Sequence, residues 1–367
     1  MVPQLPESLK PAVDMVIAVH SASRPIDRAV SSIARAGLPL NGRDGVRVNV
    51  VCHNIGEAII RERIQEPLRG QVRYLTCNDG ISSPAGPFNV GLTGATAPYV
   101  SIMGSDDTLE PGALAQWLAV AQRHDSAAVL APERHANGGK VRTPPVRVGR
   151  SRRLDPIRDR LSYRTAPLGL VRTAEIQRLG LHFTEGYKSG EDQDFSARLY
   201  FGGGRIDYAR GAGHYLVGAD ATDRVTSDVR PIREDFAFAT DLVTSSWFAA
   251  LPESARSAIV TKLIRVHIFG VASSRDEVSW PPGERRALAE TARELIDAAP
   301  RATSPLSIAD VRLLTAIMDP AATNAQLLRL AVLRKKFGAP STLVASNLWS
   351  QFSAEAPLRF MAASALL

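Results

Sequence analysis

Apolar positions in the first 130 residues fall in short continuous runs that alternate with stretches of helical spacing. Val13 to Val19 is apolar except for Asp14 and suits a strand buried on both faces. Ile26, Ala29, Val30, Ile33 and Ala34 then repeat at helical spacing within Ile26 to Ala36. The pattern predicts further strands at Val46 to Cys52, Val72 to Thr76, Tyr99 to Met103 and Ala127 to Ala131. It predicts helices at Glu57 to Leu68, Asn89 to Ala95 and Pro111 to Arg123, the last with proline in its first turn. Strand, helix, strand at this spacing means βαβ units and a mostly parallel sheet.

The pattern changes at residues 133–165. Pro144, Pro145 and Pro156 interrupt it, and basic side chains dominate, opposed from Arg134 to Arg164 only by Asp155 and Asp159. This reads as a long basic excursion from the sheet, of the kind that serves as a lid or binding loop. A helix follows at Thr173 to Leu179 and another begins near Glu191, with strand-like segments at Arg205 to Ala209 and His214 to Val217. From about Ile232 the spacing is helical: Arg233 to Ala250, Ser254 to Phe269, Gly283 to Ala299, Ser307 to Met318, Asn324 to Lys336 and Ser341 to Phe352, punctuated by prolines. The expected organisation is an α/β domain over 1–230 and an all-α domain over 231–367.

Composition narrows the class. The 367 residues are 45% hydrophobic and 22% charged, which excludes a disordered chain, and two cysteines exclude a disulfide scaffold. Cys52 and Cys77 both sit by predicted strands and read as small buried hydrophobes. The net charge is +7 and is carried almost wholly by arginine, which binds planar oxyanions through two donors. No apolar stretch is long enough to span a bilayer and the start carries no signal pattern. The expected location is therefore cytoplasmic, with peripheral contact at the inner membrane face left open.

Two segments bear candidate chemistry. The strand Tyr99 to Met103 delivers Gly104-Ser105-Asp106-Asp107 to its C-terminal end, the edge where open α/β sheets bind ligands. Adjacent carboxylates there suit Mg²⁺ or Mn²⁺, or else cap the next helix. Gly190-Glu191-Asp192-Gln193-Asp194 crowds carboxylates at a helix start, either as a general base raised by like charge or as a complement to the helix dipole.

Taken in order, these segments resemble glycosyltransferase family 2, inverting enzymes with a GT-A fold. The resemblance covers about residues 13–228. It is carried by Val16 to Ser21 leading into Arg24-Pro25-Ile26, by Asn89-Val90-Gly91-Leu92 before Pro98-Tyr99-Val100, by Gly104 to Pro111, and by Gly190-Glu191-Asp192 with Phe195 and Arg198-Leu199. It implies a GT-A-like mixed, mostly parallel sheet flanked by helices, followed here by the all-α domain. It implies transfer of a sugar from a nucleotide diphosphate, with a UDP-sugar favoured, to a hydroxyl of a glycan or lipid-linked acceptor in cell-surface polysaccharide or glycolipid synthesis. Asp192 would be the base and Glu191 its orienting neighbour. Val19, His20, Ser21, His53, Asn54, Asp79, Asn89, Ser105, Asp106 and Arg224 would contact the donor. Asp106 would hold Mn²⁺ or Mg²⁺, with Asp107 and His214 as further ligands.

The chain departs from the family at three places. Gly104 stands where the first aspartate of the metal motif is usual, Cys52-His53-Asn54 replaces the aspartate after the second strand, and Pro87-Phe88 replaces the arginine before Asn89. Rival readings are a degenerate GT-A scaffold acting through its helical half, and a sugar-nucleotidyltransferase-like enzyme, although no Gly-rich phosphate loop is found near the amino end. Arg142, Arg147, Arg150, Arg152 and Arg153 point to an anionic acceptor or to a solvated loop; too few aromatics interleave them for a nucleic-acid platform. The basic amphipathic helix ending Arg334-Lys335-Lys336 suits homo-oligomer packing or membrane-surface docking.

Overall fold

The computed structural model describes residues 10–218, 230–275 and 280–367. Those residues form two compact units. The first takes 10–142, 151–154 and 166–218; the second takes 143–150, 155–165 and the described residues from 230 onward.

The first unit is built on a seven-stranded sheet. Its strands, in chain order, are β1 Val13–Val19, β2 Val46–His53, β3 Arg73–Cys77, β4 Tyr99–Gly104, β6 Ala128–Leu130, β8 Gly169–Arg172 and β9 Ile206–Tyr208. They lie in the order β3-β2-β1-β4-β8-β6-β9. All neighbouring pairs are parallel except those of β8, which runs antiparallel to both β4 and β6. A three-stranded sheet adds β5 Thr108–Leu109, β7 Glu133–His135 and β10 Tyr215–Val217, with β10 in the middle. The helices are α1 Ile26–Ala34, α2 Glu57–Arg61, α3 Ala85–Thr93, α4 Ala113–His124, α5 Thr173–Leu179 and α6 Gln193–Phe201. β1 and β2 are buried along nearly their whole length, as their unbroken apolar runs require.

Asp14 is the exception within β1, and the structure accounts for it. Its carboxylate takes two bonds from Arg47, at 2.7 and 2.8 Å, one from Asn49 at 3.0 Å, and the backbone N–H groups of Thr96 and Ala97 at 2.8 and 2.9 Å. A buried charge is tolerable only with partners of this number and kind. Gly91 in α3 is fixed by close packing, since a Cβ there would lie 2.1 Å from a methyl of Val16. That contact lets α3 press against β1.

Several expected bounds shift. The helix expected over Glu57 to Leu68 stops at Arg61, and Leu68–Gln71 forms a separate 3₁₀ turn. α3 begins at Ala85, earlier than the apolar spacing suggests. In the second unit, Arg233 to Ala250 breaks into short helices, while Ser254 to Phe269 continues through a π-helical stretch, Leu263–Ile268, into Phe269–Ser274. Glu284–Ala298, Ile308–Met318 and Asn324–Arg334 follow, the second closed by a Ser307–Asp310 capping box. Ser341 to Phe352 is not one helix but a short turn at Pro340–Leu343 and a 3₁₀ turn at Leu348–Phe352, and Pro357–Ala365 is helical.

The basic excursion is not a free loop. Residues 143–150 and 155–165 pack within the helical unit, where several of their cations are consumed internally. Arg147 grips Asp159 with two bonds of 2.8 Å. Arg160 donates to the carbonyls of Ala354 and Pro145 at 2.6 Å, and Arg164 donates to the carbonyl of Thr143 at 2.9 Å. In the same unit Arg265 donates to Glu355 at 2.9 Å and Tyr163 donates to the same carboxylate at 2.9 Å. Among the described residues no helix is long and apolar enough to cross a membrane.

Candidate active site

Parallel register places the C-terminal ends of β1, β2 and β4 side by side. Ala18 sits opposite both Val51 and Gly104, Val19 opposite Cys52, and His53 opposite Cys77. Beyond these ends lies a cavity of about 530 Å³ within the first unit. Its walls include Val19, His20, Arg24, His53, Asn54, Ser105, Asp106, Asp107, Lys188 and Glu191, with Pro84, Pro87 and Phe88 closing the apolar side. A larger cavity of about 750 Å³ opens by the starts of β1 and β4, around Ala12 and Tyr99, away from all the candidate chemistry.

The two aspartates of the β4 motif behave differently. Asp106 faces the cavity, with its Oδ1 3.2 Å from the Arg24 guanidinium, and its carbonyl accepts from Arg28 at 2.7 Å. Asp107 turns inward. Its Oδ2 accepts the Tyr215 hydroxyl at 2.5 Å and its Oδ1 accepts the Gly218 N–H at 2.7 Å, and Tyr215 in turn accepts the Gly104 N–H at 3.1 Å. Burial pushes the Asp107 carboxyl above its ordinary range, against the pull of those donors. Gly104 now has a reason: a Cβ there would lie 2.5 Å from the Asp107 carboxylate. The carboxylate expected at the end of the strand has been supplied from Asp107 and spent on fastening β10.

On the other wall, Asp79 organises the ends of β2 and β3. Its Oδ1 accepts from the Ile81 N–H at 2.9 Å, lies 2.8 Å from His53 Nε2, and is 3.3 Å from the Asn54 amide. Burial works against its charge, but the Ile81, His53 and Asn54 contacts outweigh it and hold the carboxyl down at about 2. The Cys77 thiol donates to Asp79 Oδ2 at 3.7 Å, and ligand-type atoms of His53, Cys77 and Asp79 lie within 4.8 Å of one another. Burial and the Asp79 charge push the Cys77 thiol up to about 11, and Asp79 links the thiol and His53 by hydrogen bonds.

The acidic loop reaches the cavity from a third direction. Asn89 of α3 clasps it: the amide Nδ2 donates to the Phe183 carbonyl and to Glu185, both at 2.9 Å, and Oδ1 accepts the Phe183 N–H at 2.8 Å. Phe183 stacks on Phe195 with ring centres 4.7 Å apart. The Glu191 carbonyl accepts the Thr184 N–H at 3.0 Å, which closes the loop, and Glu191 lines the cavity. Asp192 follows at the N-cap of α6 and accepts from the Gln193 amide at 3.0 Å. The third carboxylate, Asp194, points along the helix to Arg198 at 2.7 Å.

Several expected site residues therefore stand elsewhere. Asn89 is not a donor contact, because its amide is consumed in holding the Phe183–Glu185 segment. His214 is not among the cavity-lining residues: just before β10, its Nδ1 lies 2.8 Å from Glu110, which follows β5. Asp107 is no ready metal ligand, since both its oxygens are engaged. Ser21 pairs with Ser23 at 2.7 Å, outside the lining. Arg224 lies outside the described residues. Conversely, Arg24 and Lys188 line the cavity without having been singled out. A cation just after a strand's C-terminal end, as Arg24 is, was the available signal; Lys188 had none.

A mostly parallel sheet with an antiparallel strand inserted beyond β4, and a cavity over the carboxyl ends of β1 and β4, is the GT-A-like arrangement of glycosyltransferases. No family model matches the chain. The chain is similar to poly(ribitol-phosphate) beta-N-acetylglucosaminyltransferase TarS of Staphylococcus aureus, strains Mu50 and MW2, at 24% identity over 262 residues. That alignment takes in 69% of this chain but 44% of the relatives, so the chain spans less than half their length. The crystal structure of S. aureus TarS 1-349 in complex with UDP-GlcNAc superposes with a TM-score of 0.71 and 19% identity, covering 87% of this chain and 90% of that one. The same fragment in complex with UDP gives a TM-score of 0.66 and 20% identity at the same coverage.

Proposed function

We propose that this chain is an inverting glycosyltransferase that moves a sugar from a UDP-type donor to a hydroxyl of an anionic glycan or polyol-phosphate polymer. The observation that carries this is the convergence on one cavity of the cations Arg24 and Lys188, which suit a diphosphate, of the Asp106 carboxylate, which suits a bridging cation, and of Glu191 on the opposing loop, with Asp192 next to it in the chain. The relatives' names and the UDP-GlcNAc complex favour a UDP-sugar donor and a polyol-phosphate acceptor.

Cavity lining supports the roles of Arg24, Lys188, His53, Asn54, Asp106 and Glu191, and the family resemblance supports that of Asp192, which lies outside that lining. Arg24 and Lys188 offset the charge of the diphosphate, which grows on one oxygen as the glycosidic bond to the nucleotide breaks. His53 and Asn54 line the cavity and face the edge of the nucleobase, in place of the aspartate usual after β2, and the ionised Asp79 behind them holds both. Asp192 takes the proton of the acceptor hydroxyl as that oxygen attacks the anomeric carbon from the face opposite the leaving group, and Glu191 orients the acceptor. A single displacement inverts the centre. The donor set fits a hard divalent cation in one respect only: Asp106 presents a carboxylate to the cavity, and Mg²⁺ is commonly held by one carboxylate plus substrate phosphates. Bound there, Mn²⁺ or Mg²⁺ would supply Lewis-acid stabilisation of the departing diphosphate.

Calorimetry with UDP, GDP and dTDP, with and without Mn²⁺, tests the donor site, and UDP is expected to bind most tightly. Failure of all three to bind would defeat the reading. Asp192→Asn is expected to abolish transfer from UDP-GlcNAc while leaving UDP affinity unchanged; retained turnover would remove it from the base role.

A further inference from the structure

The end of the chain exposes apolar surface that the fold does not use. Eight of the eleven large apolar side chains left exposed in the described residues lie between Val332 and Leu366. The most open are Trp349 at 87%, Phe352 at 78%, Phe337 at 73% and Leu348 at 69%. The segments carrying them are stitched together. Thr342 donates to the Lys336 carbonyl at 3.3 Å, Gln351 donates to the Leu343 carbonyl at 3.1 Å and accepts from Ala345 at 2.8 Å, and Arg359 donates to the Phe352 carbonyl. Their inner side is anchored by Phe360, packed edge-on against Tyr163 at 4.8 Å. The outward aromatics therefore sit on a held surface.

The exposed charge along the same stretch of chain is of one sign. Arg329, Lys335, Lys336 and Arg359 are exposed, and the only carboxylate side chain from 324 to 367, Glu355, is buried against Arg265. Among the described residues no ion pair neutralises Arg329, Lys335 or Lys336. A second copy meeting this patch about a two-fold axis would bring the same cations face to face. Exposed Trp, Phe and Leu carried on the same segment as exposed Lys and Arg match the headgroup region of an anionic bilayer instead, where aromatic rings sit at the boundary and each nearby Lys or Arg adds attraction.

We infer that residues 329–366 form a docking surface for an anionic lipid membrane, with Trp349, Phe352 and Phe337 entering the headgroup layer and Lys335 and Lys336 meeting lipid phosphates. The second unit is thereby the element that brings the enzyme to its membrane face, independently of what the active site transfers.

The test is co-sedimentation of the full chain with vesicles of phosphatidylcholine alone and of phosphatidylcholine with one-third phosphatidylglycerol. The chain is expected to pellet with the anionic vesicles, less so at high salt, and to stay in solution with the neutral ones. Lys335→Gln with Lys336→Gln should weaken partitioning about 30-fold, from about fivefold per lysine near the surface. Trp349→Ser with Phe352→Ser should abolish it without altering the melting temperature, since both side chains are largely exposed. Tryptophan emission should shift to the blue on adding anionic vesicles, and Trp349→Phe should remove that shift. Absence of binding to anionic vesicles overturns the inference, as does binding that neither double variant changes. A dimer in sedimentation velocity that Trp349→Ser with Phe352→Ser disperses would assign the patch to a second copy and overturn it likewise.

Discussion

Tyr215→Phe isolates the fastening between the β4 motif and β10. The substitution removes one oxygen from a side chain that is only 1% exposed. Two groups lose their partner together: Oδ2 of Asp107, which accepts the hydroxyl at 2.5 Å, and the Gly104 N–H, which donates to it at 3.1 Å. A hydrogen bond to a charged group contributes about 1.5–3 kcal/mol, and a buried N–H left without an acceptor costs about 1–3 kcal/mol. The sum, about 2.5–6 kcal/mol, corresponds to a fall on the order of 10 °C in melting temperature for a unit of this size. Thermal melts of wild type and variant, followed by intrinsic fluorescence and confirmed in urea, measure it. Because the phenyl ring is kept, loss of packing cannot account for the change. The cycle with Asp107→Asn should show a coupling of about 1.5–3 kcal/mol. A melting temperature within about 1 °C of wild type would refute the claim that Asp107 is held inward by Tyr215. Asp107 would then be free to act as a cavity ligand.

Asp14→Ala leaves Arg47 without its carboxylate and strips an acceptor from the Thr96 and Ala97 N–H groups; a loss of about 3–5 kcal/mol in urea unfolding is expected. Although burial opposes it, Arg47 and the backbone N–H of Ala97 hold the Asp14 carboxyl below its ordinary value. Its contribution is therefore complete above about pH 4 and is lost as pH falls through the lower folded value; Asp14→Asn should flatten that part of the stability–pH curve. Arg24→Ala should weaken UDP binding about tenfold by calorimetry, and unchanged affinity would place the diphosphate elsewhere. Arg265→Met leaves Glu355 buried without its guanidinium and should cost the helical unit about 3–5 kcal/mol in urea, more than Glu355→Gln, which retains a polar group for Tyr163 and Arg265.

Much of the fold was legible in the order of residues, because a strand buried on both faces needs an unbroken apolar run and a helix packed on one face needs the 3.6-residue repeat. β1 and α5 appear with the bounds their patterns give, and the strands at Val46, Arg73 and Tyr99 begin within a residue of expectation. Asp106 and the Glu191-Asp192 pair announce themselves as carboxylates at a strand end and a helix start, local signals that need no tertiary contact to recognise. Other features are not encoded locally. Strands of two or three residues, such as β5 and β7, have too little length for any periodicity. The reversed direction of β8 is a property of which neighbours it pairs with. The use of Asp107 to bind Tyr215, more than a hundred residues away, and of Asn89 to clasp Phe183 depends on distances that only the folded chain sets. The same holds for the basic excursion, where the sequence by itself determined an excess of cations. Tertiary structure decided that half-buried Arg147 and buried Arg160 and Arg164 are spent within the protein, because a guanidinium taken out of water must find carboxylates or carbonyls, and Asp159, Ala354, Pro145 and Thr143 are brought to them only by folding.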